Sequence, residues 1–378
     1  MRKVITKKDV SITMIFLFFL ILSFLAMTNY ILKNNNVYYS LNIKKPIEEK
    51  KEKDWEFELP INGSSGYSTI DIKLKKDNNI NSETITTIKR GVSFTILDEK
   101  DNWWQINYQG EKGWIDNTFC MINLPDIIPS IIYDASNSYS SLFKSSGYNI
   151  PNITDQKLYD VKMYNYRLEK DEFVMPVLYP MAKKINEAQQ LALKNGDSLK
   201  IYESYRPRET QRSIVINLKE LTATNVEVYN GININSWSET WFIYNGLSNH
   251  QLGAAIDVSL VKIDTYIVKE IGSYTYIDIT NYEEYTMPSP MHELSAQAVT
   301  FKYGVSPDSK TAWKKVPLVD NITEGAVKLQ NYCVESGLTP ISSEWWHFND
   351  LDSKDMIKGS SSKGDYYLSG CSSQKINK

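Results

Sequence analysis

A chain of 378 residues exceeds what one hydrophobic core usually organises, about 250–300 residues, so two or three compact units are expected. With 42% apolar, 23% charged and 12% aromatic residues it has a globular composition, and a formal net charge of -3 leaves no basic footprint, which excludes nucleic acid as a partner. The first element is Val10 to Leu32, a stretch without a charged residue that includes "MIFLFFLILSFLAM". As a helix it would reach about 34 Å, enough to cross a hydrocarbon core of about 30 Å. A cleaved signal peptide is the competing reading, but "SFLAMTNY" offers no clear small-x-small cleavage site. Residues 10–32 are therefore expected to be a transmembrane anchor. Arg2, Lys3, Lys7 and Lys8 would hold residues 1–9 in the cytoplasm, placing the rest on the extracellular side of the cell membrane as a single-pass protein. Residues 33–56, with five lysines among acidic neighbours between Lys44 and Glu56, read as a solvated linker.

The texture changes over residues 57–124. Short pieces "STIDIKL", "GVSFTIL", "WWQINY" and "GWIDNTF" alternate with turn-forming "KDNN", "EKDN" and "QGEKG", which predicts a small all-β barrel. This run resembles a bacterial SH3-like domain, and such modules often bind cell-wall peptide. Trp103, Trp104 and Trp114 offer an aromatic surface, but a barrel this small needs large side chains inside, so at least two of them are expected in the core. Residues 125–155, rich in Ser, Asn and Pro, read as a connector.

From 156 to 360 the pattern is mixed α and β. Met181, Ile185, Ala188 and Ala192 recur at helical spacing, Pro180 suits a first turn, and Gly196 is a stop. "SLKIYESYR" alternates as a strand, and a second helix begins at Pro207 with Ile214, Val215, Leu218 and Leu221 on one face. Thr222 to Asn245 reads as a long irregular insertion, and residues 361–378 as a loose C-terminal tail. Cys120, Cys333 and Cys371 are too scattered for a cysteine zinc knuckle or a disulfide scaffold, although one bridge, such as Cys333 to Cys371, would be permitted outside the cell.

Chemistry concentrates in two segments that carry two of the three histidines. In "SNHQLGAAIDVS", Ile256, Val258 and Leu260 alternate with Asp257 and Ser259, so a strand would bury the first set and turn Asp257 to its other face. Gly253 lets the chain turn, so that His250 and Asp257 converge. "ISSEWWHFND" supplies Glu344 and His347. Two histidines and a carboxylate form a common three-ligand zinc set, and a further carboxylate serves as general base. Because residues three apart on a flat strand face opposite ways, Glu344 and His347 must sit on a bulge or a turn to share a site.

Ser248-x-His250-x-x-Gly253-x-Ala255-x-Asp257, followed by Glu344-x-Trp346-His347, resembles the VanY-type D-alanyl-D-alanine carboxypeptidases and their D,D-peptidase relatives over about residues 156–357. The resemblance implies an α+β zinc D,D-peptidase-like domain over 156–360, preceded by the SH3-like barrel and the transmembrane helix. By the same likeness His250, Asp257 and His347 would bind Zn²⁺ and Glu344 would activate the attacking water. "ESYRPRETQ" resembles the family's upstream segment, which makes Arg206 the stabiliser of the oxyanion and Gln211 a substrate contact, while Ser248 would help bind the substrate's terminal carboxylate. Met291-His292-Glu293 departs from the Phe-Asp-Glu frequent in the family, and His292 is left outside the metal set, as a substrate contact, a supporting group or a surface residue.

The expected function is hydrolysis of the C-terminal D-Ala-D-Ala bond of peptidoglycan stem peptides by a membrane-anchored enzyme. An L,D-carboxypeptidase or an endopeptidase with the same zinc site, and a non-catalytic wall-binding protein, are the alternatives. A serine hydrolase is disfavoured because no Gly-x-Ser-x-Gly elbow occurs.

Overall fold

Strand alternation and tight turns build the first part of the structure, a computed structural model that describes residues 57–376. Seven strands, β1 (Ser65–Ser68), β2 (Ile72–Lys75), β3 (Thr84–Ile88), β4 (Ser93–Lys100), β5 (Trp103–Tyr108), β6 (Glu111–Asp116) and β7 (Cys120–Asn123), pair in the order β7-β1-β4-β5-β6-β2-β3. Gln109 and Gly110, both at positive φ, make the two-residue turn between β5 and β6 that matches the twist of a hairpin. The expectation of two tryptophans in the core is met by one: Trp104 is fully buried, whereas Trp103 and Trp114 are half-buried. Trp104 also does more than fill the barrel. Its ring meets Tyr179 edge-on at 4.8 Å, and the Tyr179 hydroxyl donates to Glu99 Oε2 at 2.7 Å.

Tyr179 opens the helix Tyr179–Leu193, so the barrel packs directly on the second part of the molecule. The strand Pro176–Leu178 extends the barrel sheet by pairing antiparallel with β7, Val177 opposite Ile122. One hydrophobic cluster runs without a break from Tyr67, Ile96 and Trp104 through Met121 and Tyr179 to Leu199 and Val258. The C-terminal segment, expected to be loose, is also part of the fold. Ser372 N donates to Ser65 Oγ at 2.6 Å, Thr95 Oγ1 donates to the Ser372 carbonyl at 2.7 Å, and Gln374 N donates to the Gly63 carbonyl at 2.8 Å. Cys120, Cys333 and Cys371 are all free.

The second part is built on a six-stranded sheet. Its path runs Thr339–Pro340, His347–Asn349, Ala255–Ile271, Asp197–Glu203, Ile132–Tyr133, and the strand Tyr274–Glu284 pairs with Ala255–Ile271. Ile132 and Tyr133 come from the expected connector, which therefore contributes to this sheet. The helices Tyr179–Leu193 and Glu324–Glu335 pack on each other and against the two central strands. Met181, Ile185, Ala188 and Ala192 are fully buried, as the helical spacing predicts, and Gly196 at φ +73 ends the turn after the helix. A second cluster joins Ile214, Val215 and Leu218 of the helix Arg208–Thr224 to Val228, Ile232, Trp237 and Phe242. The insertion after Thr222 is thus ordered, as the helices Val226–Ile232 and Glu239–Phe242.

The expected membrane helix at 10–32, with residues 1–9 and the linker 33–56, lies outside the described residues. Among the described residues no helix is long and apolar enough to cross a membrane. The longest, Arg208–Thr224, has 17 residues, about 26 Å at 1.5 Å each, and is studded with charged side chains. The fold class is therefore corrected to an SH3-like barrel fused to an α+β domain, and the single-pass location with an extracellular catalytic domain is not supported.

The shared core makes a direct prediction. Trp104→Ala should destabilise the protein by about 3–5 kcal/mol, the usual cost of emptying a buried aromatic site. Thermal unfolding followed by tryptophan fluorescence and far-ultraviolet circular dichroism should show barrel and α+β domain melting in one transition at a lower temperature.

Candidate metal centre and active-site cleft

Strand register brings the functional groups together. Asp257, near the start of the strand Ala255–Ile271, lies opposite His347 on one side and Glu203 on the other. Directly paired residues share a face, so the three side chains form a row across the sheet. A bulge between Ile201 and Glu203 sets this alignment. His250 arrives from the preceding turn, closed by a hydrogen bond from Gly253 N to the His250 carbonyl at 3.1 Å. Gly253 has φ +70, and a Cβ there would lie 2.6 Å from Met121 Sδ, so this turn requires glycine. Glu344 sits in the loop ahead of the strand His347–Asn349, satisfying the expectation of a turn between the two residues.

The resulting geometry is tight. His250 Nε2, Asp257 Oδ1 and His347 Nδ1 form a triangle with sides of 3.2, 3.0 and 3.1 Å. The second nitrogen of each imidazole is committed elsewhere: His250 Nδ1 faces the Ser204 carbonyl at 2.7 Å, and His347 Nε2 faces Asn349 Oδ1 at 2.8 Å. Both partners are acceptors, so these nitrogens carry the ring protons, and two lone pairs and a carboxylate oxygen point at one another. Only a shared cation, a metal ion or a proton, makes three buried acceptors favourable at such distances. Two imidazoles and a carboxylate suit zinc, and the donor set therefore fits the metal expected from the sequence. A second group of candidate ligands, Glu203, Asp257 and His292, does not: the Arg206 guanidinium already lies between the two carboxylates.

Electrostatics separates the carboxylates. Burial pushes Asp257 up, but contacts with His250, His292 and His347 outweigh it and hold the carboxyl well below the usual range. Glu344, with an oxygen 3.7 Å from His347 Nδ1, is pushed up to about 8, chiefly by burial and further by Asp257, against the opposing pull of His347 and Arg206. Arg206 stays charged: burial lowers it, and Glu203 more than compensates. Its Nε donates to Glu203 Oε2 at 2.9 Å, Nη2 to Glu203 and to Asp257 Oδ2 at 3.2 Å, and Nη1 to Gln211 Oε1 at 2.7 Å. Of its five N–H donors one, on Nη1, remains without a partner among the described residues.

A cleft of about 450 Å³ opens over these groups, within the usual range for a small ligand. Ser248, Gln211, Trp241 and Trp346 also line it. Every residue singled out from the sequence thus faces one site, although Gln211 is committed at both ends, its Nε2 donating to the Tyr244 carbonyl at 2.8 Å. The sequence reading missed the supporting groups Glu203, Ser204 and Asn349 and left the role of His292 open. His292 is fully buried at φ +62, stacks on Phe143 at 4.2 Å, and contacts Asp257 Oδ2 through Nε2 at 3.1 Å. Glu203 and Ser204 carried no signal of their own. Asn349 did: two residues beyond His347 on a strand, it must face the same way.

Residues 72–119 match the bacterial SH3 domain family, and residues 177–361 match the D-Ala-D-Ala dipeptidase family. The chain has a bacterial SH3 plus D-Ala-D-Ala-type peptidase architecture. The peptidase match spans Arg206, His250, Asp257, Glu344 and His347, and it identifies the α+β domain as a hydrolase of peptide bonds. Among curated proteins no match to the chain is found.

Asn349→Ala should weaken metal binding about 10–100-fold, the usual effect of losing a group that orients a ligand. Calorimetric titration of the metal-free protein with Zn²⁺ checks this. Since Glu344 titrates near 8, it is largely protonated at pH 7, and a divalent cation beside it favours the ionised form. Zinc binding at pH 7 should therefore release about one proton fewer in Glu344→Gln than in the unaltered protein, read from the dependence of the binding enthalpy on buffer.

Proposed function

We propose that the protein is a zinc metallopeptidase that hydrolyses the C-terminal D-Ala-D-Ala bond of peptidoglycan stem peptides. The observation that carries this reading is the convergence of the His250, Asp257 and His347 donor atoms, each imidazole turned by its own hydrogen bond, with the buried carboxyl of Glu344 beside them. His250, Asp257 and His347 would hold the zinc ion. When bound, it would act as a Lewis acid on water and on the scissile carbonyl.

The remaining roles belong to the chain's own side chains. Glu344, near-neutral in its affinity for a proton, takes one from the attacking water and passes it to the departing amine. The water oxygen bonds to the carbonyl carbon as the C–N bond breaks; the proton carried by Glu344 makes the leaving nitrogen an amine, and the water's second proton, lost from the new carboxyl group, converts it to the ammonium of the free amino acid. Arg206, locked by Glu203 and Gln211, presents fixed positive charge and one free N–H to the oxyanion without having to reorganise. Ser248, half-buried at the rim of the cleft, is suited to the substrate's terminal carboxylate. Trp346, buried behind the ligands, restricts water and strengthens each electrostatic term.

The test is a synthetic stem pentapeptide ending in D-Ala-D-Ala, with products identified by mass spectrometry. Hydrolysis should release a single D-alanine, stop on chelation and return with Zn²⁺. Glu344→Gln should retain zinc and lose about 10²–10⁴-fold in kcat. His347→Ala should lose both metal and turnover. Near-normal turnover by Glu344→Gln would remove the proposed base, and release of a tetrapeptide's last residue instead would reassign the bond.

A further inference from the structure

A second cavity, of about 440 Å³, lies against the active-site cleft and shares Gln211, Tyr244 and Leu247 with it. Its other walls carry Arg208, Arg212 and Lys363, and no acidic residue lines it. None of these three cations has an ion-pair partner among the described residues, unlike Arg90, which pairs with Asp365, or Lys354, which pairs with Asp308, and all three face the same concavity. Arg208 and Arg212 are four residues apart on the helix Arg208–Thr224, so they stand one above the other, an arrangement that repels unless an anion lies between. Lys363 reaches the same space from the C-terminal segment, which is fixed there by the hydrogen bond from Arg208 N to the Gly364 carbonyl at 2.7 Å. Two chain segments more than 150 residues apart in sequence thus deliver three unpaired positive charges to one concave surface.

We infer that this cavity is an anion subsite for the substrate, receiving a free carboxylate of the peptide away from the bond that is cut. This rests on the peptidase reading of the adjoining cleft. The chemistry that fits is a carboxylate held by one or two guanidinium groups and an ammonium, and stem peptides offer it wherever an acidic residue is linked through its side chain and leaves its α-carboxylate free. The wall between the two cavities is the Gln211 side chain with the Tyr244 backbone, and Gln211 is in turn bonded to Arg206. A substrate occupying both cavities therefore lies along the residue that holds the guanidinium proposed to act on the oxyanion.

The experiment compares two otherwise identical pentapeptides, one with D-isoglutamate at the second position and one with its amide, D-isoglutamine, using the zinc-loaded full chain. The unaltered protein should favour the acidic peptide by about tenfold or more in kcat/KM, as for an exposed but multiply contacted charge, and added salt should erode the preference. The double substitution Arg208→Gln with Arg212→Gln, both at exposed positions, should remove the preference and leave hydrolysis of the amidated peptide within about twofold, since a neutral group gains nothing from the charges. Equal rates on the two peptides by the unaltered protein, or an equal loss on both in the double variant, would overturn the inference. If neither peptide is cut, the peptidase reading falls, and calorimetric binding of the same pair then decides the subsite: tighter binding of the acid that is lost in the double variant supports it, and equal binding overturns it. Binding of inorganic phosphate without discrimination between the peptides would assign the cavity to a free anion and likewise overturn the substrate subsite.

Discussion

The row Glu203–Asp257–His347 across three neighbouring strands is the constraint on which the site depends. Side chains on a strand alternate, so a slip of one residue in either pairing would send Glu203 or His347 to the opposite face. The bulge at Ile201–Glu203 shows how narrow the choice is, since with regular pairing Tyr202 would stand opposite Asp257. Asp257 is accordingly shared. One oxygen faces the two imidazoles, and the other accepts from Arg206 and lies against His292. A carboxylate divided in this way both completes the donor set and anchors the positive charge beside it.

The SH3-like barrel takes part in this geometry. The turn that carries His250 closes on Gly253, whose carbonyl accepts from Leu178 N at 2.8 Å, and Leu178 pairs with Met121 of the last barrel strand. Met121 also fills the space where any Cβ at position 253 would lie. One backbone hydrogen bond and one strand pairing therefore link the barrel to the turn that carries a proposed metal ligand. With the C-terminal segment bonded to Ser65, Thr95 and Gly63, the barrel is held from both ends of the peptidase domain. Its half-buried Trp103 and Trp114 are not among the side chains of the shared core.

Burial raises the stakes of every charge in the cleft. Arg206, Glu203, Asp257 and Glu344 are all nearly excluded from solvent, where an unpaired charge is costly and a paired one is strongly oriented. Three of the four, one guanidinium and two carboxylates, are linked through hydrogen bonds, which fixes them in place. Glu344 makes no such bond to a cation, and burial, reinforced by Asp257, raises its proton affinity. The same environment thus yields ionised supports and one carboxyl able to exchange a proton near neutrality.

Much of the chemistry was legible in the sequence, because a histidine, a glycine turn and an alternating strand place His250 and Asp257 by local geometry alone, and the helical faces of Met181–Ala192 and Ile214–Leu218 follow from a period that any helix imposes. The need for a turn between Glu344 and His347 comes from the same local rules, whereas which of the three tryptophans fills the barrel does not. What pairs with what is not local. That His292 would be buried against Asp257, that the last residues would brace the barrel, and that Lys363 would meet Arg208 and Arg212, each depends on contacts between residues from 35 to more than 300 positions apart. Such contacts are selected by the packing of the whole core rather than by any short pattern, and only the tertiary structure decided them.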